Sequence, residues 1–360
     1  MTDKPINPAK TEYFSSLTGI RAIAAFMVFI HHYNPFSSQN NVIFNFTQEF
    51  HTGVTIFFVL SGFLIAYRYS DMNNFNFKKY MVNRIARIYP MYFILTAATF
   101  IVFKFSPAHQ SENLINLFLL NISFMRGFFD PLKFSGIAQG WSLTVEETFY
   151  LLAPLFFILI KRSKYFLILL PILMLTTGLI LVSVFSNMNC KGFFQNHEFM
   201  FNYTFFGRCF EFFTGIALAI VFKRNWKLNF KHFTYTGILG IAISILLISL
   251  QKGDFDFGIR TAEGKILNTL IMPIVGISSL FYGLITEETI VSKFLSSKLM
   301  VLLGKSSYIF YLIHIGVISS LINHFSQNLF ILFVVVNLIS IALFKTIEEP
   351  LNNYIRKQFA

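Results

Sequence analysis

Residues 19–33 read GIRAIAAFMVFIHHY. Apolar side chains fill one helical turn after another, the pattern of a segment built for lipid. Arg21 nevertheless opens the stretch, and His31 and His32 close it. An ionisable group deep in a bilayer costs at least about 2.5–3.5 kcal/mol on insertion scales, so each of the three calls for a physical reason. Arg21 and His32 are 11 positions apart. At 3.6 residues per turn they fall about 20° from a common line and about 16 Å apart along the axis. His31 falls about 80° off that line, so spacing favours His32 as the partner that shares a wall with Arg21. The plainer alternative puts both histidines at the outer interface beside Asn34 and Pro35, with Arg21 snorkelling at the opposite end.

The rest of the chain fixes the class. Of its 360 residues, 55% are hydrophobic and 13% charged, whereas soluble domains carry about 25% charged residues. Apolar runs of membrane-spanning length fall near 17–34, 53–69, 88–105, 141–160, 165–185, 203–222, 233–250, 266–285, 306–324 and 328–346. The expectation is an all-α, polytopic integral membrane protein of about ten transmembrane helices. It forms one membrane domain, residues 17–347, between cytoplasmic tails 1–16 and 348–360. The run 113–126 is apolar but short and is read as re-entrant or interfacial. No cleavage site follows the first apolar run, which is read as a retained helix.

The net charge of +12 sits in short blocks between apolar runs, such as Lys78–Arg87 and residues 161–164. The N-terminal tail and every second loop carry a roughly threefold excess of Lys and Arg over the other loops, which puts both termini in the cytoplasm. No basic stripe or recognition motif accompanies the charge, so nucleic acid is excluded as a partner. Cys190 and Cys209 do not make a disulfide framework. The 48 phenylalanines are scattered through the apolar runs as lipid-facing filling.

Further polar groups stand where lipid should have removed them. NRIARIYP places Arg84 and Arg87 at i, i+3 on one face of a helix at the cytoplasmic side. Two guanidiniums held together suit phosphate better than they suit anchoring alone. WSLTVEETFYLLAP opens the fourth span with Glu146 and Glu147 adjacent, and Ser142, Glu146, Tyr150 and Pro154 recur every four residues as a polar stripe. A helix N-terminus favours acidic groups, which accounts for one glutamate better than for two. SSYIFYLIH puts Ser307, Tyr311 and His314 at i, i+4, i+7 of an apolar helix.

Taken together, SLTGIRAIAAFMVFIHH, GVTIFFVLSGFLI, NRIARIYPMY, WSLTVEETFYLLAP, SSYIFYLIH and TIEEPLNNYIRK resemble, in order, the acyltransferase family 3 of integral-membrane O-acyltransferases. The resemblance runs from residue 17 to about 357. It implies a ten-helix enzyme of the bacterial plasma membrane that moves an acyl group, commonly acetyl from acetyl-CoA, to a hydroxyl of a cell-surface or lipid-linked carbohydrate. The family's helix-1 Arg and His fall on Arg21 and His32, its paired arginines on Arg84 and Arg87, and its acidic motif on Glu146 and Glu147. Where the family often has proline two residues after the late histidine, this chain has Gly316.

The chemistry expected of that set follows from its residue types. A sugar hydroxyl is a weak nucleophile and needs a base, for which His32 is the candidate. Glu146 or Glu147 would hold its tautomer, with spacing favouring Glu146. Arg21, Arg84 and Arg87 would bind the phosphates of acyl-CoA, here a substrate and not a resident cofactor. Trp141, Tyr150, Tyr311 and His314 are the candidate acceptor-binding residues, and no metal is expected. The alternative is a proton-coupled transporter that uses the same intramembrane His, Arg and Glu. Transporters are commonly built from two related halves with broken helices, and the sequence has no such repeat.

Overall fold

The computed structural model describes residues 13–36, 42–72, 75–107, 113–224, 231–253 and 255–359. Residues 1–12 of the expected N-terminal tail therefore lie outside the described residues. Helix α1 spans Ser15–His32, α2 Gly53–Tyr69, α3 Phe77–Phe105 and α4 Leu114–Ile122. After them come α5 at Trp141–Arg162, α6 at Phe166–Phe185, α7 at Phe205–Lys223 and α8 at Phe233–Leu250. Helix α9 covers Ala262–Thr286, α10 Lys298–Ile313, α11 Val317–Phe325 and α12 Leu329–Phe359. Among the described residues there is no strand, only an isolated bridge between Phe129 and Phe193.

Among the described residues, eight helical stretches are long and apolar enough to cross a bilayer, and nine if α10 and α11 count as one broken span. The 18-residue α1 is outside that count because Arg21, His31 and His32 dilute its apolar content. It packs against α10 and α2 at the centre. The stretches that contain α2 and α7 are the most enclosed, 67% and 61% buried, whereas α6, 22% buried, lies at the periphery. Close approach of α2 and α7 requires glycine on both sides. A Cβ at Gly62 would collide with the Phe212 carbonyl, and one at Gly215 with the Val59 carbonyl.

Four sequence expectations are refined. The nine residues of α4 reach about 14 Å, half a hydrocarbon core, so the run 113–126 does not cross. Behind it the chain folds back, with Phe124 in the left-handed region at φ 60°. Arg126 in that fold-back is fully buried and donates to the carbonyls of Ser135 and, at 2.6 Å, Ile137. The expected span 306–324 is not one helix: α10 and α11 meet at 87°. Ser307 and Tyr311 lie on α10, but His314 is its C-cap. Gly316 stands in the break at φ 106°, a conformation closed to proline. The expected tail 348–360 continues α12 to Phe359 and packs on α3.

Helix α9 contains a π-helical stretch, Leu267–Ile277, that ends beyond Pro273. Pro273 has no N–H to give, and its carbonyl accepts from the Ser278 hydroxyl at 2.9 Å. The wider turn keeps Asn268 in the core against α2.

Candidate active site

Three cavities run through the bundle in series, and α1 lines all of them. At one end a cavity of about 470 Å³ is lined by Arg21, Arg68, Arg84, Arg87, Lys305, Glu348, Glu349 and Asn352. Five cations face two carboxylates there. A narrow middle space of about 70 Å³ shares Arg21, Arg84 and Arg87 with it and adds Ser61, Ser142, Glu146, Tyr150 and Tyr311. Beyond Tyr311 and Val54, which line both spaces, opens a cavity of about 410 Å³ with His31, His32, His51, Trp141, Arg208 and Asn268 in its wall.

The gate between the last two is a hydroxyl pair. Ser142 donates to the Gln139 carbonyl at 2.9 Å, so Tyr311 is the donor in its 3.0 Å bond with Ser142. Helix α5 supplies Ser142 and α10 supplies Tyr311, and both are buried.

His32 sits at the last residue of α1 with its ring exposed to the histidine cavity. Its Nδ1 lies 2.8 Å from the Val28 carbonyl one turn back. A carbonyl only accepts, so Nδ1 carries the proton and Nε2 is left as a free lone pair. The same device recurs in three other histidines. His31 Nδ1 lies 2.5 Å from the Gln48 carbonyl, His51 Nδ1 2.9 Å from Glu49 and His314 Nδ1 2.8 Å from Tyr311. The His32 ring centre is 4.6 Å from His31 and 5.2 Å from His314. These side chains do not converge on one point, and among the described residues no group of His, Cys, Asp or Glu is arranged to hold a metal ion.

This geometry corrects the expected role of the acidic motif. The tautomer of His32 is set by its own helix backbone, not by a carboxylate. Glu146 lies in the middle space, where one oxygen accepts from the hydroxyls of Ser61 and Tyr150. Glu147 lines none of the three cavities and lies within electrostatic reach of Arg84 and Tyr80. Helical spacing put Glu146 on the right stripe but could not say which helix would pack across it. Tyr150 shares the middle space with Glu146 and does not line the histidine cavity. His314 is fully buried behind His32, stacked 6.0 Å from Phe310, and lines neither neighbouring space.

Other candidates fall as follows. Arg21 faces the arginine cavity and His32 the histidine cavity, two separate spaces on one side of α1. Arg84 is only 8% exposed, and its guanidinium stands 5.7 Å over the Tyr150 ring and 6.0 Å over Tyr69. Trp141 and Tyr311 line the histidine cavity. His31 lines it as well, because residues 48–51 fold over the end of α1 and curve the cavity around both histidines. The expectation that His31 points away is therefore withdrawn.

One ion pair and one buried carboxyl exceed what spacing singled out. Arg208 and Glu211 on α7 form a buried ion pair, Nη2 to Oε1 2.7 Å and Nε to Oε2 2.8 Å. Charges at i, i+3 inside the apolar run FFGRCFEFF were their signal. Glu49 is fully buried, accepts from the Gly258 N–H at 2.7 Å and faces His51 Nε2 at 3.5 Å.

Comparison with known proteins matches residues 14–345 to a family described as an acyltransferase domain. A peptidoglycan O-acetyltransferase of Listeria monocytogenes is 26% identical over 329 residues, 86% of this chain and 50% of the relative. An O-acetyltransferase of Staphylococcus aureus is 25% identical, covering 97% of this chain and 58% of the relative. A putative peptidoglycan O-acetyltransferase of Bacillus subtilis is 29% identical over 163 residues, 41% of this chain and 24% of the relative. The chain thus spans a quarter to little more than half of these relatives' lengths. No solved structure matches.

Proposed function

This chain belongs to the acyltransferase family, and from that premise we propose that it transfers acetyl from a CoA thioester to a hydroxyl of a carbohydrate at the bacterial cell membrane. The observation that carries the proposal is the series of cavities, cationic at one end and histidine-lined at the other, joined at Tyr311. Five cations against two carboxylates suit the phosphates of CoA, and Arg84 is pre-set by stacking between two tyrosine rings. The pantetheine arm follows the middle space toward the histidine cavity. Its thioester carbonyl stops beside the Tyr311 hydroxyl, which turns its proton from Ser142 to the developing oxyanion.

In the histidine cavity the sugar hydroxyl gives its proton to His32 Nε2 as its oxygen attacks the thioester carbon. The carbon–sulfur bond breaks, and the departing thiolate takes that proton from His32, which returns to its neutral form. The Val28 carbonyl stabilises the imidazolium formed in between. Glu146 sits on the donor side and holds Ser61 and Tyr150 in place along the arm's route. The positive-inside rule places the arginine cavity toward the cytoplasm, where acyl-CoA is available, and the histidine cavity toward the outer face.

Purified protein in lipid vesicles, given isotope-labelled acetyl-CoA and surface glycans, is expected to place label in an alkali-labile ester on the glycan. Glycans that remain unlabelled, with solute uptake into the vesicles instead, would replace this reading with the transporter.

A further inference from the structure

Two amides in the wall of the histidine cavity are buried with half of their hydrogen-bonding capacity unused. Asn268 is 1% exposed and Gln139 is 3% exposed, and both line the cavity. Among the described residues, Asn268 Nδ2 and Gln139 Oε1 have no hydrogen-bond partner. Polar atoms so placed in an apolar interior are costly unless a ligand completes them.

The orientation of Asn268 is dictated from behind. Both oxygens of Glu211 are occupied by Arg208, whose Nη2 also donates to the Thr55 hydroxyl at 3.0 Å. Thr55 accepts from Arg208 and donates to Asn268 Oδ1 at 2.9 Å, with the Glu211 carboxylate also within its reach. With Oδ1 so engaged, the amide presents Nδ2, a donor. The π-helical stretch of α9 fixes the backbone that carries it. On α5's approach, Gln139 presents an acceptor, with Trp141 two residues on as an aromatic wall that packs 5.0 Å from Tyr203. The cavity's charges are balanced internally: Arg208 pairs with Glu211, and Arg260 with Glu198 at 3.3 Å and Asp256 at 3.7 Å.

We propose that Asn268 and Gln139 form the acceptor subsite, a donor and an acceptor beside an aromatic wall that together take an uncharged sugar through its hydroxyls. Glu211, Arg208 and Thr55 are positioning residues that set the direction of the Asn268 amide. Among the described residues that line it, a sugar carboxylate or phosphate finds no cation without a carboxylate partner, in contrast to the arginine cavity. The inference rests on the acyl-transfer reading for the purpose of the site, but binding is measured without transfer.

Of the two tryptophans, Trp141 lines the cavity, and Trp226 lies outside the described residues. In a Trp226→Phe background, emission from Trp141 reports occupancy directly. The probes are neutral gluco-, galacto- and manno-disaccharides and their uronic-acid counterparts, added to the full-length protein in detergent without donor. At least one neutral probe should give a saturable change, and its uronic-acid form should bind at least tenfold more weakly.

Asn268→Leu keeps the shape of the side chain and removes the donor without adding a charge, while Thr55 can give its proton to Glu211, so the variant should weaken the neutral probe by about 10- to 100-fold. Acetyl-CoA binding should stay unchanged. Gln139→Ala should act in the same direction. Equal binding by Asn268→Leu, equal binding of the uronic-acid forms, or no Trp141 response to any neutral probe would overturn the subsite. Tight neutral binding in a protein that never transfers acetyl would support the subsite and remove the transfer reading instead.

Discussion

Replacing His32 by alanine is expected to lower acetyl transfer by about 10²- to 10⁴-fold, the span of a positioned general base. The side chain is exposed to its cavity and bonds only to the backbone of its own helix, so the variant should insert and fold as the parent does. Acetyl-CoA affinity should be unchanged, because the arginine cavity is a separate space. His31→Ala should cost less but more than nothing, since the His31 ring packs 4.6 Å from His32 and helps to hold it. The check is transfer rate per mole of folded protein, with donor binding measured alongside. Full activity in His32→Ala would remove the base from the mechanism.

The second large effect concerns the donor. Arg84→Lys and Arg87→Lys keep the charge and lose the planar fork. Arg84 also loses its stacked position between Tyr69 and Tyr150, which a flexible ammonium cannot occupy in the same way. Affinity for acetyl-CoA is expected to fall by about tenfold or more in each, with Arg84 the more severe because it is nearly buried. Titration of the variants with acetyl-CoA, and separately with acceptor, distinguishes this from general damage. A donor titration unchanged in both variants would return the two arginines to membrane anchoring.

Hydropathy located the helices because lipid imposes one simple demand on every span. The segments expected at 53–69 and 233–250 coincide with α2 and α8. The bend at Gly316 was hidden because an apolar composition does not change where a helix breaks. Arg21 and His32 were legible from their spacing along one helix face, which is a property of α1 alone. What stood opposite that face was not legible. The separation of their cavities depends on Tyr311 and Ser142, brought from two other helices.

The acidic motif failed for the same reason. Glu146 lies on the expected stripe, yet α2 places Ser61 against it, not His32. Arg208 and Glu211 sat within a span and not in a loop, so they did not enter the loop tally, and the phenylalanines around them kept the run apolar. Asn268 and Gln139 carry no charge at all, and only packing distinguishes them from other buried amides.

The most direct test of transfer along the three cavities uses vesicles in which the protein has one known orientation. Labelled acetyl-CoA is supplied on one side and glycan acceptor on the other, in both arrangements. Ester formation is predicted only when the donor is on the side of Arg84 and Arg87 and the acceptor on the side of His32. Transfer at full rate with both substrates confined to the same side would contradict it.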